Sequence, residues 1–447
     1  MSKPLTNKFN KLLRQSPISL HVPGHKNMTI GQLEQLDFKM DMTEITGLDD
    51  LHQPEDVILK SMEGISKHPD YEAYYLVNGT TSGILSVIQG FSAQKGKYTM
   101  VRNAHKSVFH ALELTCQNAL LLEMDISLKT NQYLGPNLSK LPDEMQDTKL
   151  AIFTYPNYYG ECFDISYTIM KLKEAGVPVL IDEAHGAHFG LEGFPSSSLN
   201  TGADYVVQSY HKSLPSLTMS SILFIHKNAP QRKNVIKYLT YFQSSSPSYL
   251  LMTSLELAHD FYKKYDSALF FEKRYELIST LKQIGLEVIE VDDPLKLNIS
   301  GNGYTGFELQ KLFEMEKIYI ELADNNQILL VLPLWHEEDM YPFELLLERL
   351  KNINFEKRKA NNKTEIEYLT EKGVYYSGEI DKIRNININK SVNKILATHI
   401  VPYPPGIPLM FKGEKITENM VKLMNYWQDS NLRVEGIKNH KIEIKDE

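Results

Sequence analysis

The chain has 447 residues, a net charge of −8, 42% hydrophobic residues and 23% charged residues. This length allows two or three domains with a sizeable core, and the acidic balance argues against a nucleic-acid partner or an anionic membrane surface. The two cysteines, Cys116 and Cys162, lack CxxC spacing, which argues against a disulfide framework or a zinc site. Residues 1–16 lack the apolar core of a signal peptide, and no apolar run reaches bilayer length. We therefore expect a cytoplasmic protein without a membrane partner.

The N-terminal part combines a basic arm, a tight turn and an acidic segment. Residues 1–20 are predicted to form an amphipathic arm, and Pro-Gly within residues 21–26 predicts a turn. His21 and His25 flank that turn, but no cysteine or carboxylate is spaced to complete a metal site, so no metal is expected. The acidic segment 41–51 is either a solvated turn or the wall of a site for a cationic substrate. Periodicity alone favours the turn.

A hydroxyl-rich turn then follows the first predicted strand. Residues 54–68 are predicted to be helical, residues 74–77 are a strand, and a helix begins again at Ile84. Thr80 and Thr81 lie at this strand–helix junction, where free backbone N–H groups and hydroxyls together can hold a phosphate. A plain helix N-cap is the alternative interpretation.

Strands and helices continue to alternate as far as residue 226. Strands are predicted at 98–101, before His105, and at 150–154, each followed by a helix. His105 is either a capped loop histidine or a ring that stacks on a planar ligand. This alternation predicts a mostly parallel sheet flanked by helices.

Two later strands lead into candidate catalytic residues. The apolar strand 177–181 ends in Asp182, at the position where open α/β sheets place ligand-binding groups. Strand 204–208 is followed by Lys212, a lysine that loses its proton easily when it is buried. Each residue alone also has an ordinary structural explanation, as a turn cap or as a surface cation.

The pattern changes after about residue 250. Helices are predicted at 250–271 and 272–284, followed by strands at 286–299, 317–322 and 327–333 and helices at 305–315 and 341–353. We interpret this part as a smaller α+β domain and divide the chain at 1–265, 266–353 and 354–447. The polar stretch 354–370 is predicted to be an exposed connection, and the proline-rich segment 401–408 either binds an SH3-type partner or packs inside its own domain.

Thr80, Thr81, His105, Asp182 and Lys212 fall in this order on one predicted sheet. Together they match what pyridoxal 5′-phosphate requires, which is a Schiff-base lysine, a carboxylate at the pyridinium nitrogen, a ring on its face and a phosphate cup. Each feature alone is weak evidence for such a cofactor site, whereas the ordered set is strong evidence.

With these motifs the chain resembles the Orn/Lys/Arg decarboxylase family of fold-type-I pyridoxal-phosphate enzymes, in its shorter Gram-positive form without a wing domain. The motifs that carry the resemblance are HVPGHK (21–26), TEITGLDDL (43–51), VNGTTSG (77–83), RNAHKS (102–107), DEAHGAH (182–188), SYHK (209–212) and PYPPGIP (402–408). The resemblance covers most of residues 15–265 and returns at 400–414, whereas residues 352–400 match poorly.

The resemblance implies a role for each residue of the expected cofactor site. Lys212 would form the Schiff base, and Asp182 would pair with the pyridine nitrogen. His105 would stack on the ring, and Ala184 and His185 would lie near its other face or its O3′ side.

The remaining implied contacts concern the phosphate and the partner chain. Thr80, Thr81 and Ser209 would hold the phosphate, with His211 close to it and to the reacting carbon. In the family the cofactor lies at a homodimer interface, and a loop of the partner chain reaches over it. That loop corresponds here to residues 244–249, including Ser245.

The implied reaction is loss of the α-carboxylate of arginine, lysine or ornithine as CO2, with Lys212 or His211 returning a proton to the carbon. The short form is often associated with arginine, which favours agmatine as the product. With this reaction in view, Glu44, Asp49 and Glu414 become candidates for binding the distal cation of the substrate. An aminotransferase or lyase on the same fold and a non-catalytic cofactor-binding homologue are the alternatives. The lack of arginine in residues 286–340 favours decarboxylation over transamination.

Overall fold

The computed structural model describes residues 2–141, 145–301, 303–355, 368–378, 380–403, 408–429 and 433–446. The helices of the described residues are α1 (Pro4–Leu13), α2 (Val57–Gly64), α3 (Gly79–Gly90), α4 (Lys106–Thr115), α5 (Ile165–Glu174), α6 (Tyr210–Ser213), α7 (Arg232–Phe242), α8 (Tyr249–Lys264), α9 (Ala268–Gln283), α10 (Gly306–Met315), α11 (Phe343–Asn352) and α12 (Glu418–Asp429). Short 3-10 turns lie at Leu33–Gln35, Phe38–Met40, Ser198–Thr201 and Ile388–Lys390.

The strands alternate with these helices up to residue 226 and then cluster in smaller sheets. In chain order they are β1 (Ile18–Leu20), β2 (Tyr71–Leu76), β3 (Lys97–Met100), β4 (Ala119–Leu121), β5 (Met124–Ile126), β6 (Tyr133–Pro136), β7 (Thr148–Thr154), β8 (Val179–Asp182), β9 (Tyr205–Gln208), β10 (Ser221–His226), β11 (Leu286–Glu290), β12 (Lys296–Gly301), β13 (Ile318–Ile320), β14 (Leu322–Ala323), β15 (Ile328–Val331), β16 (Gly373–Tyr375), β17 (Ile383–Asn387), β18 (Val401–Tyr403), β19 (Arg433–Glu435), β20 (Ile437–Lys438) and β21 (Lys441–Lys445).

The large sheet has eight strands in the order β16-β4-β3-β7-β8-β9-β10-β2. Its five central strands, β4 to β9 in this order, run parallel, and β16, β10 and β2 are antiparallel to their neighbours. The prediction of a large, mostly parallel sheet is therefore confirmed. Because parallel strands end at the same edge, the residues that follow β3, β7, β8 and β9 converge there.

Both faces of the large sheet are covered, and the strand sequences show why. On β8, Val179 and Ile181 pack into one apolar cluster and Leu180 into the other, and on β9 Val206 and Val207 divide in the same way. Successive side chains of a strand point to opposite faces, so a continuous apolar run fits a strand that is buried on both sides. Their burial holds the strand ends rigidly in place.

The region after residue 285 builds a four-stranded antiparallel sheet in the order β11-β12-β15-β14. The expected single strand at 286–299 is two strands, and the expected helix at 250–271 is divided between α8 and α9, because residues 265–267 lie between them. The N-terminal arm joins this region, since β1 pairs in parallel with β13. The domain limits at 265 and 353 remain a prediction.

The C-terminal residues return to the large sheet and also form small sheets of their own. β16 extends the edge of the large sheet beside β4, and β17, β21 and β20 form a sheet of their own. Of the predicted connection at 354–370, residues 356–367 lie outside the described residues, as do residues 404–407 of the proline-rich segment. Pro402 in β18 pairs with Val434 in β19. Among the described residues, no helix is long and apolar enough to cross a bilayer.

Candidate active site

A cavity of about 750 Å³ opens at the carboxyl edge of the large sheet. Its wall includes six of the residues that the sequence singled out, which are Thr80, His105, Asp182, Ala184, His185 and Lys212. Residues from distant segments complete the wall, among them Arg102, Lys106, Phe109, His110, Glu113, Gln132, Tyr133, Asn157, Tyr158, Tyr159, Tyr368, His399, Leu409, Phe411 and Lys412.

Lys212 lies in the short helix α6, four residues after β9 ends. Its Nζ is 3.1 Å from Nε2 of His185. Burial lowers the pKa of the Lys212 ammonium, while Asp182 and Glu321 oppose the shift. The amine is therefore more available as a nucleophile than that of a surface lysine.

Asp182 is the last residue of β8 and is buried. Its Oδ1 accepts the backbone N–H of Ala184 at 3.1 Å, which fixes the carboxylate in the cavity wall. A fixed anion at this position can pair with a protonated ring nitrogen.

A buried polar network holds the ends of β8 and β9 together behind Asp182. Glu183 accepts hydrogen bonds from Nε2 of Gln208 at 2.6 Å and from the hydroxyl of Ser197 at 2.8 Å. Lys67 donates to Oε1 of Gln208 at 3.0 Å. Because these groups satisfy one another in the interior, the network restricts movement of both strand ends.

Of the histidines in the cavity wall, His105 and His185 are the two that the sequence singled out, and they come from different elements. His105 is the N-cap of α4, with Nδ1 2.8 Å from the hydroxyl of Ser107. Burial lowers its pKa, against the opposing effect of Asp182. Burial also lowers the pKa of His185 well below its usual value, and its ring meets that of Tyr158 edge-on at 4.6 Å. Both rings are therefore held neutral at pH 7.

Hydroxyl groups gather at the N-terminus of α3. Gly79 has a φ of +74°, which lets the chain turn sharply from β2 into the helix. Oγ1 of Thr80 lies 3.2 Å from Oγ of Ser209, so two strand-end loops bring hydroxyls together beside the positive end of a helix. Thr81 is also in the first turn, but it does not line the cavity.

His211 does not line the cavity. Its Nδ1 is 3.0 Å from the carbonyl oxygen of Ser220, and burial lowers its pKa to about 4. The ring is therefore neutral at pH 7. Of the two expected proton donors, Lys212 lines the cavity and His211 does not.

The three expected substrate carboxylates lie outside the cavity of their own chain. Oxygens of Asp49 accept backbone N–H groups of Glu55, Asp56 and Ile58 at the start of α2, at 2.9 to 3.1 Å. Glu414 is fully buried against Arg102, with 2.6 Å between Oε1 and Nη2. Asp49 and Glu414 are thus committed to structural contacts, while Glu44 is exposed.

The loop that corresponds to the partner-reaching segment lies at the surface. Ser245 is exposed, and the N–H of Ser244 donates to Oδ1 of Asn78 at 3.3 Å. His52 also contacts the carbonyl oxygen of Ser244, at 2.7 Å. Ser245 therefore does not reach the cavity of its own chain.

Sequence reasoning missed Glu113 and Tyr158 as cavity residues. One face of α4 lines the cavity through Lys106, Phe109, His110 and Glu113, the i, i+3, i+4, i+7 spacing of a helix face. Because His105 caps α4, counting this spacing from the first helical residue, Lys106, could have indicated Glu113. Tyr158 follows β7, and its position after a parallel strand was the available signal.

The cavity fits pyridoxal phosphate on the chemistry of its donors. Asp182 could supply an anion for the ring nitrogen, Lys212 an amine for the aldehyde, and Thr80 a hydroxyl at a helix N-terminus for the phosphate. Ser209, whose Oγ lies 3.2 Å from Oγ1 of Thr80, is fully buried and does not line the cavity itself. Within the described part of the chain, no group of three or more His, Cys, Asp or Glu side chains is placed to hold a metal ion.

A mostly parallel sheet with these groups at its carboxyl edge defines a fold-type-I enzyme. The lysine decarboxylase LdcF of Francisella novicida matches this fold with a TM-score of 0.67 at 17% identity, over 92% of this chain and 75% of that chain. Lysine decarboxylase A of Pseudomonas aeruginosa matches with a TM-score of 0.68 at 14% identity, over 91% and 74% of the two chains.

The chain belongs to the Orn/Lys/Arg decarboxylase family. The major domain of that family matches residues 3–291, and its C-terminal domain matches residues 356–440. "Uncharacterized protein YaaO" of Bacillus subtilis (strain 168) is 35% identical, over 100% of this chain and 98% of that protein. The arginine decarboxylase of Bacillus anthracis is 26% identical, over 97% and 94% of the two chains. The resemblance inferred from the sequence motifs is thereby confirmed.

Proposed function

We propose that the protein is a pyridoxal-phosphate-dependent decarboxylase that converts arginine, lysine or ornithine to the corresponding amine and CO2, with arginine preferred. The observation that carries this proposal is the meeting of His105, Asp182 and Lys212 in one cavity. Membership of the family supports decarboxylation, and relatives named arginine decarboxylase support the preference for arginine.

The cofactor would be held from several directions by different elements. Lys212 would bond to it, Asp182 would hold a proton on the ring nitrogen, and His105 would pack on the ring. Thr80 and Ser209 would bind the phosphate, with Thr81 in the same helix turn.

The bound cofactor supplies a ring that accepts the electrons released when a bond at the α-carbon breaks. The protein has to hold the α-carboxylate perpendicular to that ring, and it must not grip the carboxylate strongly. No arginine occurs in residues 286–340 that could grip it. Nζ of Lys212, made less basic by burial, would return a proton to the carbon.

Glu113 is the residue that we assign to the distal cation of the substrate. Among the described residues of the cavity wall, the carboxylates are Asp182 and Glu113, and Asp182 is committed to the ring. Lys106 and Lys412 also line the cavity, and their positive charges would repel a cation. Glu113 would therefore supply the negative charge that attracts the distal cation of the substrate. The axis of α4 spans about 10 Å from Lys106, next to His105, to Glu113. The α-carbon of the substrate would therefore lie near the His105 end of the helix, and its distal cation near Glu113.

We further propose a cytoplasmic homodimer in which residues 244–249 of one chain close the cavity of the other. Ser245 and Glu44 would then act on the partner's site. Phe38, shortly before the acidic segment 41–51, and Ile45, within it, support this arrangement, because they leave 89% and 56% of their surfaces exposed.

The test is to reconstitute the purified protein with pyridoxal phosphate, record its visible absorption, and measure CO2 release from arginine, lysine and ornithine. We expect an absorption band and CO2 release from at least one substrate, fastest with arginine. Lys212→Ala should lose the band and roughly 10³-fold or more of the activity. The proposal fails if no band forms, or if no substrate releases CO2. Formation of a keto acid without CO2 would instead indicate an aminotransferase.

A further inference from the structure

We propose that Glu321 and Tyr158 are positioning residues that hold His185 against Lys212 and keep a negative charge near that lysine. This inference rests on the proposed function in one respect, because it takes Lys212 as the lysine that bonds to the cofactor. It adds a contribution from the four-stranded sheet region to a site that is otherwise built by the large sheet.

Glu321 lies between β13 and β14, and its backbone N–H donates to the carbonyl oxygen of Leu329 at 3.0 Å. Its side chain reaches across to the large sheet. Oε1 accepts the hydroxyl hydrogen of Tyr158, and Oε2 accepts the N–H of Val22 at 2.9 Å. Both oxygens are occupied, so the carboxylate has a fixed orientation.

Tyr158 passes this constraint on to the cavity. Its ring meets the ring of His185 edge-on, with 4.6 Å between centroids, and its carbonyl oxygen accepts a hydrogen bond from Nζ of Lys296 at 2.7 Å. Nε2 of His185 lies 3.1 Å from Nζ of Lys212. Three consecutive contacts therefore connect Glu321 to the lysine, and each one has a defined geometry.

The charge of Glu321 acts on the same lysine. Burial lowers the pKa of Lys26, Lys212 and Lys296, and Glu321 opposes the shift for each of the three. An anion beside a cluster of buried cations stabilises their protonated forms. Removing it would make Lys212 lose its proton at a lower pH.

The sign of this charge suits the proposed reaction. Glu321 does not itself line the cavity. As an anion it adds no attraction for the α-carboxylate of a substrate, which leaves that group free to depart as CO2. The network therefore orients His185 and Lys212 without adding a carboxylate clamp.

The experiment compares Glu321→Gln, Tyr158→Phe and the double variant with Glu348→Gln, which removes a charge from the exposed face of α11. Glutamine keeps the shape of the side chain, and phenylalanine keeps the ring that packs on His185. The readouts are the pH midpoint of the visible spectrum of the reconstituted holoenzyme without substrate, and kcat and KM with the best substrate.

We expect Glu321→Gln to lower the pH midpoint by roughly one unit, because the anion is lost. Tyr158→Phe keeps the anion, so it should not lower the midpoint. Glu321→Gln and Tyr158→Phe should each reduce kcat by roughly tenfold with little change in KM. The kcat of the double variant should be no lower than that of the more impaired single variant, because both residues act through one chain of contacts.

Two results would overturn the inference. One is a midpoint and a kcat of Glu321→Gln equal to those of Glu348→Gln, and the other is losses that multiply in the double variant. Should Glu321→Gln melt well below the wild type, Tyr158→Phe decides, and an unchanged kcat there would refute the inference. Failure of the proposed function is recognised separately, because the wild type itself would then show no band or no CO2 release.

Discussion

Arg102 and Glu414 form a buried ion pair across 312 residues of chain, with 2.6 Å between Nη2 and Oε1 and both side chains at most 1% exposed. The guanidinium Nε also donates to the carbonyl oxygen of Glu371 at 3.0 Å. The pair ties the C-terminal segment to the end of β3. It also gives Glu414 a structural role in place of the substrate contact that the sequence suggested.

Glu414→Gln should lower the free energy of unfolding by about 3–5 kcal/mol, because it leaves the buried guanidinium of Arg102 without its anion. Urea denaturation followed by circular dichroism measures this loss. Glu290→Gln is the matched control, since Glu290 is half exposed in its pair with Arg274 and should lose about 1 kcal/mol at most. Equal losses in the two variants would contradict the assignment.

Asp49→Ala should lower the free energy of unfolding by about 1–2 kcal/mol and leave KM unchanged, because the carboxylate caps α2. Although its burial acts in the opposite direction, the backbone N–H groups it accepts lower the pKa of Asp49. Thermal melting and steady-state kinetics check the two parts. Asp41→Ala in the same exposed segment is the control, and a raised KM at unchanged stability would restore the substrate role of Asp49.

Glu113→Gln should raise KM for the basic substrate about tenfold or more with little change in kcat, because a charge-assisted hydrogen bond of about 1.5–3 kcal/mol is lost. Steady-state CO2 release measures both constants. Glu276→Gln removes an equal charge from the exposed surface of α9 and serves as the control. A KM equal to that of the control would place the distal cation elsewhere, with Glu44 of a partner chain as the next candidate.

His259 makes stability depend on pH. Burial lowers its pKa to about 3, with Lys67 adding to the shift. The unfolded chain therefore takes up this proton below about pH 6.5, whereas the folded chain does not until about pH 3, so stability falls as the pH drops through that window.

His259→Gln should lose less stability on acidification than the wild type, by up to about 1 kcal/mol per pH unit in the lower part of the window. Urea denaturation at a series of pH values provides the comparison. Gln keeps a partner for the hydroxyl of Tyr210, which lies 3.1 Å from Nδ1 of His259. His440→Gln, at an exposed histidine, should follow the wild type. The prediction is wrong if the stability of His259→Gln falls on acidification as steeply as that of the wild type.

Local patterns indicated the large sheet and the core of the candidate site. Apolar strands that end in a polar residue predicted that Asp182 and the Lys212 loop lie at the sheet edge, where the structure has them, and Thr80 lines the cavity from the predicted strand–helix junction. Their roles toward a cofactor stay predictions. These features are encoded within a few residues, because strand period and turn chemistry are local properties. Helix limits were less accurate, since α2 begins at Val57 rather than at residue 54.

The sequence by itself determined the class of fold, the family and the residues at the strand ends. Only the tertiary structure decided which side chains meet across long separations, such as Glu321 with Tyr158 and Glu414 with Arg102. It also decided that Glu113 rather than Glu414 lines the cavity. The physical reason is that the sequence shows a carboxylate but not its partner, which can be a helix N-terminus, a buried arginine or a substrate. The partner is decided by the packing of the folded chain.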